Sequence, residues 1–222
     1  MIGKGPEVTG DASDGRSIDA ILRLAPVIPV LTLDRPEEAA ALAELLVECG
    51  LPVLEVTLRT PVALDVIRAM QQVKGAVIGA GTVLGKPQLQ AGADAGARFF
   101  VSPGTTDRLL EGAVELGLPF LPGVSSASDV IRGREAGLTH FKFFPAEASG
   151  GMDALKAIAE PFAEARFCPT GGINQANAAS WLSLGKVLCV GGSWIVPRGE
   201  ACDFSMIEEK ARAASQLTRP AS

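Results

Sequence analysis

The sequence predicts one α/β domain folded as a single (β/α)8 TIM barrel with an extra N-terminal helix. Three observations carry this. Eight short runs rich in β-branched residues begin about every 21–26 residues. Amphipathic runs with helical spacing separate them. No linker or low-complexity insert breaks the rhythm. Strands alternating with helices build a parallel sheet covered by helices. An open, doubly wound sheet is the alternative. At 222 residues the chain is short for a barrel, so its loops must be lean.

Taken in order, residues 1–16 read as a flexible polar leader, lacking the apolar stretch of a secretory signal. Residues 17–222 form the barrel domain, and a helix over roughly 17–24 covers its bottom. The strands are VIPVLTL (27–33), VLEVTL (53–58), AVIGAGTV (76–83) and RFFVSPG (98–104), then PFLPGV (119–124), HFKFFP (140–145), RFCPTGG (166–172) and VLCVGGS (187–193). Between them, PEEAAALAELLVECG, TPVALDVIRAMQQV, TDRLLEGAVELG, SDVIRGREAG and NQANAASWLSLG have helical period. Pro36, Asp107, Ser128 and Asn174 read as helix starts. A last helix runs from about Ser205 to Leu217.

Composition narrows the function. Hydrophobic residues make up 47% of the chain, enough for a sizeable core. A net charge of −5 argues against nucleic acid as a partner. No apolar run approaches the roughly 18 residues of a membrane span. The cysteines, Cys49, Cys168, Cys189 and Cys202, form no CxxC pair and read as small buried hydrophobes in a reduced, cytoplasmic setting. His140 is the one histidine, which excludes an imidazole-rich metal site, and it reads as a packing residue.

Barrel chemistry sits at the C-terminal ends of strands, and the unusual residues gather there. Lys142 lies among Phe141, Phe143 and Phe144, and alternation places it opposite Phe141 and Phe143. It is either a lysine that snorkels to water from an edge strand or a nucleophile in an apolar lumen. A lumen amine can attack a carbonyl carbon to form a Schiff base, which needs no metal. Parity puts Val53, Glu55 and Thr57 in the lumen, so Glu55 can shuttle protons or form an internal ion pair. Arg59 ends the same strand; it can grip a carboxylate with two parallel bonds or lie on the surface. Thr82 offers a hydroxyl to the same carboxylate or serves a turn. Thr170, Gly171 and Gly172 after strand seven, with Gly191, Gly192 and Ser193 at strand eight, suit a phosphate held by backbone N–H groups, although paired glycines are common in turns. The GxG of Gly79 and Gly81 lacks the rest of a dinucleotide fingerprint.

LEVTLRT, GAGTVL, FKFFPAE, RFCPTGGI and VLCVGGSWIVP resemble the 2-keto-3-deoxy-6-phosphogluconate (KDPG/KHG) class I aldolase family, from about Ile18 to the last helix. The resemblance implies a barrel, usually trimeric, that cleaves KDPG to pyruvate and glyceraldehyde 3-phosphate in the Entner–Doudoroff pathway without metal or other cofactor. It implies that Lys142 carries the Schiff base and Glu55 is the general acid/base. It assigns Arg59 and Thr82 to the pyruvyl carboxylate, and Pro103 and Phe144 to the pocket wall. Thr170, Gly171, Gly172 and Ser193 fall to the phosphate end. The C4-epimeric galactonate and 4-hydroxy-2-oxoglutarate are rival substrates. A non-catalytic phosphosugar-binding barrel and a metal-dependent aldolase are rival classes.

Overall fold

Strands and helices alternate along the chain at the spacing that its hydrophobic pattern predicts. The computed structural model describes residues 17–199 and 201–218; the expected leader, residues 1–16, lies outside them. The strands are β1 (Val27–Leu31), β2 (Val53–Thr57), β3 (Val77–Gly81), β4 (Phe99–Val101), β5 (Phe120–Leu121), β6 (Gly123–Val124), β7 (His140–Phe143), β8 (Arg166–Pro169) and β9 (Val190–Gly192). Before them comes α1 (Ile18–Arg23). A 3-10 turn, Pro36–Glu38, leads into α2 (Ala39–Glu48). The later helices are α3 (Ala63–Met70), α4 (Lys86–Asp94), α5 (Asp107–Leu116), α6 (Ala127–Glu135), α7 (Gly151–Ala159), α8 (Ala178–Leu182) and α9 (Phe204–Ser215).

All pairings within the sheets are parallel. One sheet runs β5-β4-β3-β2-β1-β9 and the other β6-β7-β8. The result is an α/β fold with a curled parallel sheet in two hydrogen-bonded pieces, where one unbroken eight-stranded ring was expected. The expected strand PFLPGV is two strands because Pro122 has no N–H for the ladder. Its carbonyl still accepts from Lys142 N at 2.8 Å. The expected last strand also shortens: β9 begins only at Val190. Isolated bridges Phe167↔Val187 and Thr170↔Gly191 join its side of the fold to β8.

Two cores follow from strand alternation. Leu54, Val56, Phe141, Phe143 and Phe167 point outward into one cluster with the helices. Ile28, Val53, Phe99, Val101, Leu121, Cys168, Leu188 and Cys189 point inward into another, which Ile21 and Leu22 of α1 cap. A helix of six residues is too short to stand alone. Burying Ile21 and Leu22 contributes about 3–6 kcal/mol and holds it in place. Ser17 starts α1, its hydroxyl accepting from Ala20 N.

The helix starts differ from expectation at three places. Thr106 caps α5 rather than Asp107, and Ser126 caps α6, in a capping box with Asp129, rather than Ser128. In both cases the cap is the last extended residue, and the polar residue chosen from sequence already lies in the helix. Asn174 belongs to a turn ahead of α8, its N–H donating to Asn177 Oδ1 at 2.8 Å. No helix among the described residues is long and apolar enough to cross a membrane.

Candidate active site

Lys142 occupies the middle strand of the β6-β7-β8 sheet, opposite Gly123 and Cys168. It is therefore not on an edge, and at 5% exposure it does not reach water as a snorkelling lysine would. Its neighbours Phe141 and Phe143 face outward, beside Phe167 and Trp181. On the inner face, Lys142 Nζ lies 3.0 Å from Glu55 Oε1 and 3.4 Å from Oε2. The Phe144 ring centroid is 5.3 Å from Nζ, within range of a cation–π contact.

Glu55 is 3% exposed, on β2 between Val30 and Gly79. Its side chain fits because Gly81 has none: a Cβ there would stand 2.3 Å from Glu55 Oε1. Burying two charges costs several kcal/mol per ion, and their attraction repays this only in good geometry. An ion pair buried this deeply is thus a weak stabiliser. It does place an amine beside a proton acceptor, which imine chemistry requires. Thr57 follows on the same face, its Oγ1 2.8 Å from Thr32 Oγ1. The expected site set omits both threonines. Strand parity already placed Thr57 in the lumen, whereas Thr32 lies beyond β1 and no motif marks it.

The other expected residues lie around the C-terminal rim. Thr82 directly follows Gly81, to whose carbonyl Leu58 N donates at 2.8 Å. Thr82 is the one non-glycine among the described residues with positive φ, at 59°. For a β-branched residue that costs about 1–3 kcal/mol, and such strain clusters at functional positions. Pro103 packs against Gly123, the partner of Lys142: a Cβ on Gly123 would lie 2.3 Å from Pro103 backbone atoms. Arg59 is exposed in the turn after β2 and makes no hydrogen bond to Lys142 or Glu55 among the described contacts. The structure therefore puts Lys142, Glu55 and Phe144 in contact, keeps Thr82 and Pro103 one residue away, and leaves Arg59 on the rim.

Thr170 is buried and bridges to Gly191. Gly171 and Gly172 turn at φ 98° and 80°. A Cβ on Gly171 would be 3.3 Å from the Phe144 ring, so this turn adjoins the end of Lys142's strand. Gly191 and Gly192 lie in β9, and Ser193 is exposed just after it. Two glycine-bearing strand ends thus meet beside the end of the strand that carries the lysine. Among the described residues, no group of three or more His, Cys, Asp or Glu side chains could hold a metal ion. A cavity of about 630 Å³ lies elsewhere, between α7 and residues 184–187 ahead of β9, and no residue of this cluster lines it.

At the opposite end of β7, His140 does more than pack. Its Nε2 is 2.9 Å from Asp19 Oδ1, and its Nδ1 is 3.0 Å from Thr139 Oγ1, which ties α1 to β7. Burial pushes the His140 pKa below the usual imidazole value, with Asp19 opposing. The Asp19 carboxyl is held low, first by its hydrogen bond from Arg23. Cys49, Cys168 and Cys189 are buried, while Cys202 is half-buried. Burial, then the nearby Glu38, pushes the Cys202 thiol up to about 11.

Residues 18–210 match the family described as KDPG and KHG aldolase. The chain is 51% identical over 206 residues to the 2-dehydro-3-deoxy-phosphogluconate aldolase of Zymomonas mobilis, covering 93% of this chain and 99% of that protein. A Zymomonas mobilis 2-keto-3-deoxy-6-phosphogluconate aldolase solved with 3-phosphoglycerate superposes with a TM-score of 0.89 at 51% identity, covering 92% of this chain and 98% of that one. A KDPG aldolase from Legionella pneumophila, with pyruvate captured at low pH as a covalent carbinolamine intermediate, has a TM-score of 0.85 at 46% identity, covering 89% and 97%.

Proposed function

The chain belongs to the KDPG and KHG aldolase family, and from that membership and the buried Lys142–Glu55 pair we propose that it is a class I aldolase cleaving 2-dehydro-3-deoxy-6-phosphogluconate to pyruvate and glyceraldehyde 3-phosphate. Lys142 Nζ attacks the C2 ketone of the substrate. Glu55, directly or through one water, takes the proton that the amine must lose and returns one as the carbinolamine expels water. The resulting iminium draws electrons from the C3–C4 bond. Glu55 removes the C4 hydroxyl proton, that bond breaks, and glyceraldehyde 3-phosphate leaves. The enamine left on Lys142 takes a proton at C3, and water hydrolyses the imine to release pyruvate and free amine.

Thr82 and the rim guanidinium of Arg59 hold the pyruvyl carboxylate, while Phe144 and Pro103 wall the pocket. The phosphate lies on the turns of Thr170–Gly172 and Gly191–Ser193. The carbinolamine in the Legionella protein and the phosphorylated ligand in the Zymomonas protein support these two ends of the site. The iminium withdraws the electrons that a metal would otherwise accept, so the reaction needs no cofactor. Because the family description includes KHG, 4-hydroxy-2-oxoglutarate is a second substrate class for the same pair. We read the domain as a closed (β/α)8 barrel, with β5 and β6 as halves of one strand about Pro122. The shared inner cluster, drawn from both sheets, supports this. The family resemblance carries a homotrimeric, cytoplasmic assignment.

The observation that carries the proposal is the 3.0 Å contact between a buried amine and a buried carboxylate. Incubation with pyruvate and borohydride, followed by mass spectrometry, tests it. A pyruvate-sized adduct on Lys142 is expected, with no adduct and no turnover in Lys142→Ala. A folded wild-type protein that forms no adduct would sink the imine mechanism in favour of a binding barrel.

A further inference from the structure

We infer that Glu147 is a positioning residue for the phosphate end of the substrate, acting through the Gly171–Gly172 turn. The inference rests on the aldolase reading above and adds a residue to its phosphate subsite. Glu147 lies in the loop that carries the chain from β7 to α7, and its contacts run to the neighbouring loop after β8. Its Oε1 accepts from Trp181 Nε1 at 2.8 Å and from Asn177 Nδ2 at 3.1 Å. Asn177 Nδ2 also donates to Gly172 O at 3.1 Å. On the backbone, Glu147 N donates to Gly171 O at 3.1 Å and Ala146 N to Thr170 O at 2.8 Å. A Cβ on Gly172 would fall 2.5 Å from Glu147 Cγ, so the side chain lies directly against the turn.

These contacts form a chain of support. Trp181 is fully buried, its ring 6.2 Å from that of Phe143 on the strand that bears Lys142. The indole fixes the carboxylate, and the carboxylate with its backbone N–H fixes the turn. A pair of left-handed glycines has wide conformational freedom by itself, and backbone N–H groups hold a phosphate only when their directions are set. Charge-assisted hydrogen bonds from a buried donor suit that task. A carboxylate beside a phosphate subsite repels the ligand, and two N–H donors at Oε1 offset that charge. What Glu147 contributes is therefore geometry, which separates its role from that of a group binding the phosphate.

The test is aldol addition of pyruvate to glyceraldehyde 3-phosphate and, separately, to unphosphorylated glyceraldehyde. In Glu147→Ala, which leaves Trp181 Nε1 and Asn177 Nδ2 without their shared acceptor, KM for the phosphorylated aldehyde should rise about tenfold. Its kcat, its KM for glyceraldehyde and its trapping of pyruvate by borohydride should stay near wild type. Glu147→Gln should recover most of the loss, because an amide oxygen still accepts from Trp181 and Asn177. Should Glu147→Ala not fold, Glu147→Asp keeps the charge, withdraws the oxygen by one methylene and reads the same split. A variant that loses on both aldehydes equally, or on neither, overturns the role of Glu147 alone. A wild type indifferent to the phosphate overturns the phosphate subsite together with this inference, and one that traps no pyruvate overturns the aldolase reading beneath both.

Discussion

Glutamine at position 55 would keep the shape of the lumen and remove the proton acceptor 3.0 Å from Lys142. Turnover should then fall by ~10²–10⁴, the usual contribution of a positioned acid/base, while slow trapping of pyruvate on Lys142 persists. Single-turnover cleavage against trapping kinetics separates the two steps. Cleavage at the wild-type rate would reduce Glu55 to a structural counter-ion. The geometry at this scale depends on an absent side chain as much as on those present. Gly81 supplies the space that Glu55 fills, and the next residue, Thr82, bears the backbone strain of the rim.

Among the elements, α1 caps the inner core, and its hold on β7 is titratable. The folded His140 has a depressed pKa, so below about 6.5 the unfolded chain binds this proton first. The contribution is fully present above that value and is lost as pH falls through the folded pKa. Asp19, also depressed, adds loss only below the usual aspartate value of about 3.9. Urea titrations should show unfolding free energy level from pH 8 to 7 and declining from about pH 6.5, by no more than about 1.4 kcal/mol per pH unit. Because His140 is the chain's one histidine, His140→Gln should remove that slope. An unchanged slope in the variant would refute the assignment.

For the whole molecule, the two sheets meet closely at a seam where Gly123 faces Pro103. Gly123 pairs with Lys142 in one sheet, and its α-carbon faces the Pro103 backbone beyond β4 of the other. Pro103 backbone atoms cannot rotate away as a flexible side chain would. Gly123→Ala should therefore cost about 1–3 kcal/mol by overpacking, or roughly 2–12 °C in melting temperature for a chain of this size. Calorimetry reads this directly, and a melting temperature equal to wild type would show that the seam yields freely.

The order of elements, the two faces of each strand and the apolar surroundings of Lys142 were all legible in the sequence, because side-chain alternation and helical period are local properties. Glu55 could be placed in the lumen by parity within five residues of β2. The amphipathic runs located the helices but not their caps: whether Ser126 or Ser128 starts α6 turns on which residue is last to stay extended. The break at Pro122 could have been read from the residue itself, whereas its consequence, two sheet pieces instead of one ring, depends on what lies across the ladder. Only the tertiary structure decided that Glu55 and Lys142, 87 residues apart, meet as a pair, and that Glu147 turns to Trp181 and the glycine turn. No local pattern encodes such meetings, because they arise from the curl that brings distant strands and their loops around one interior.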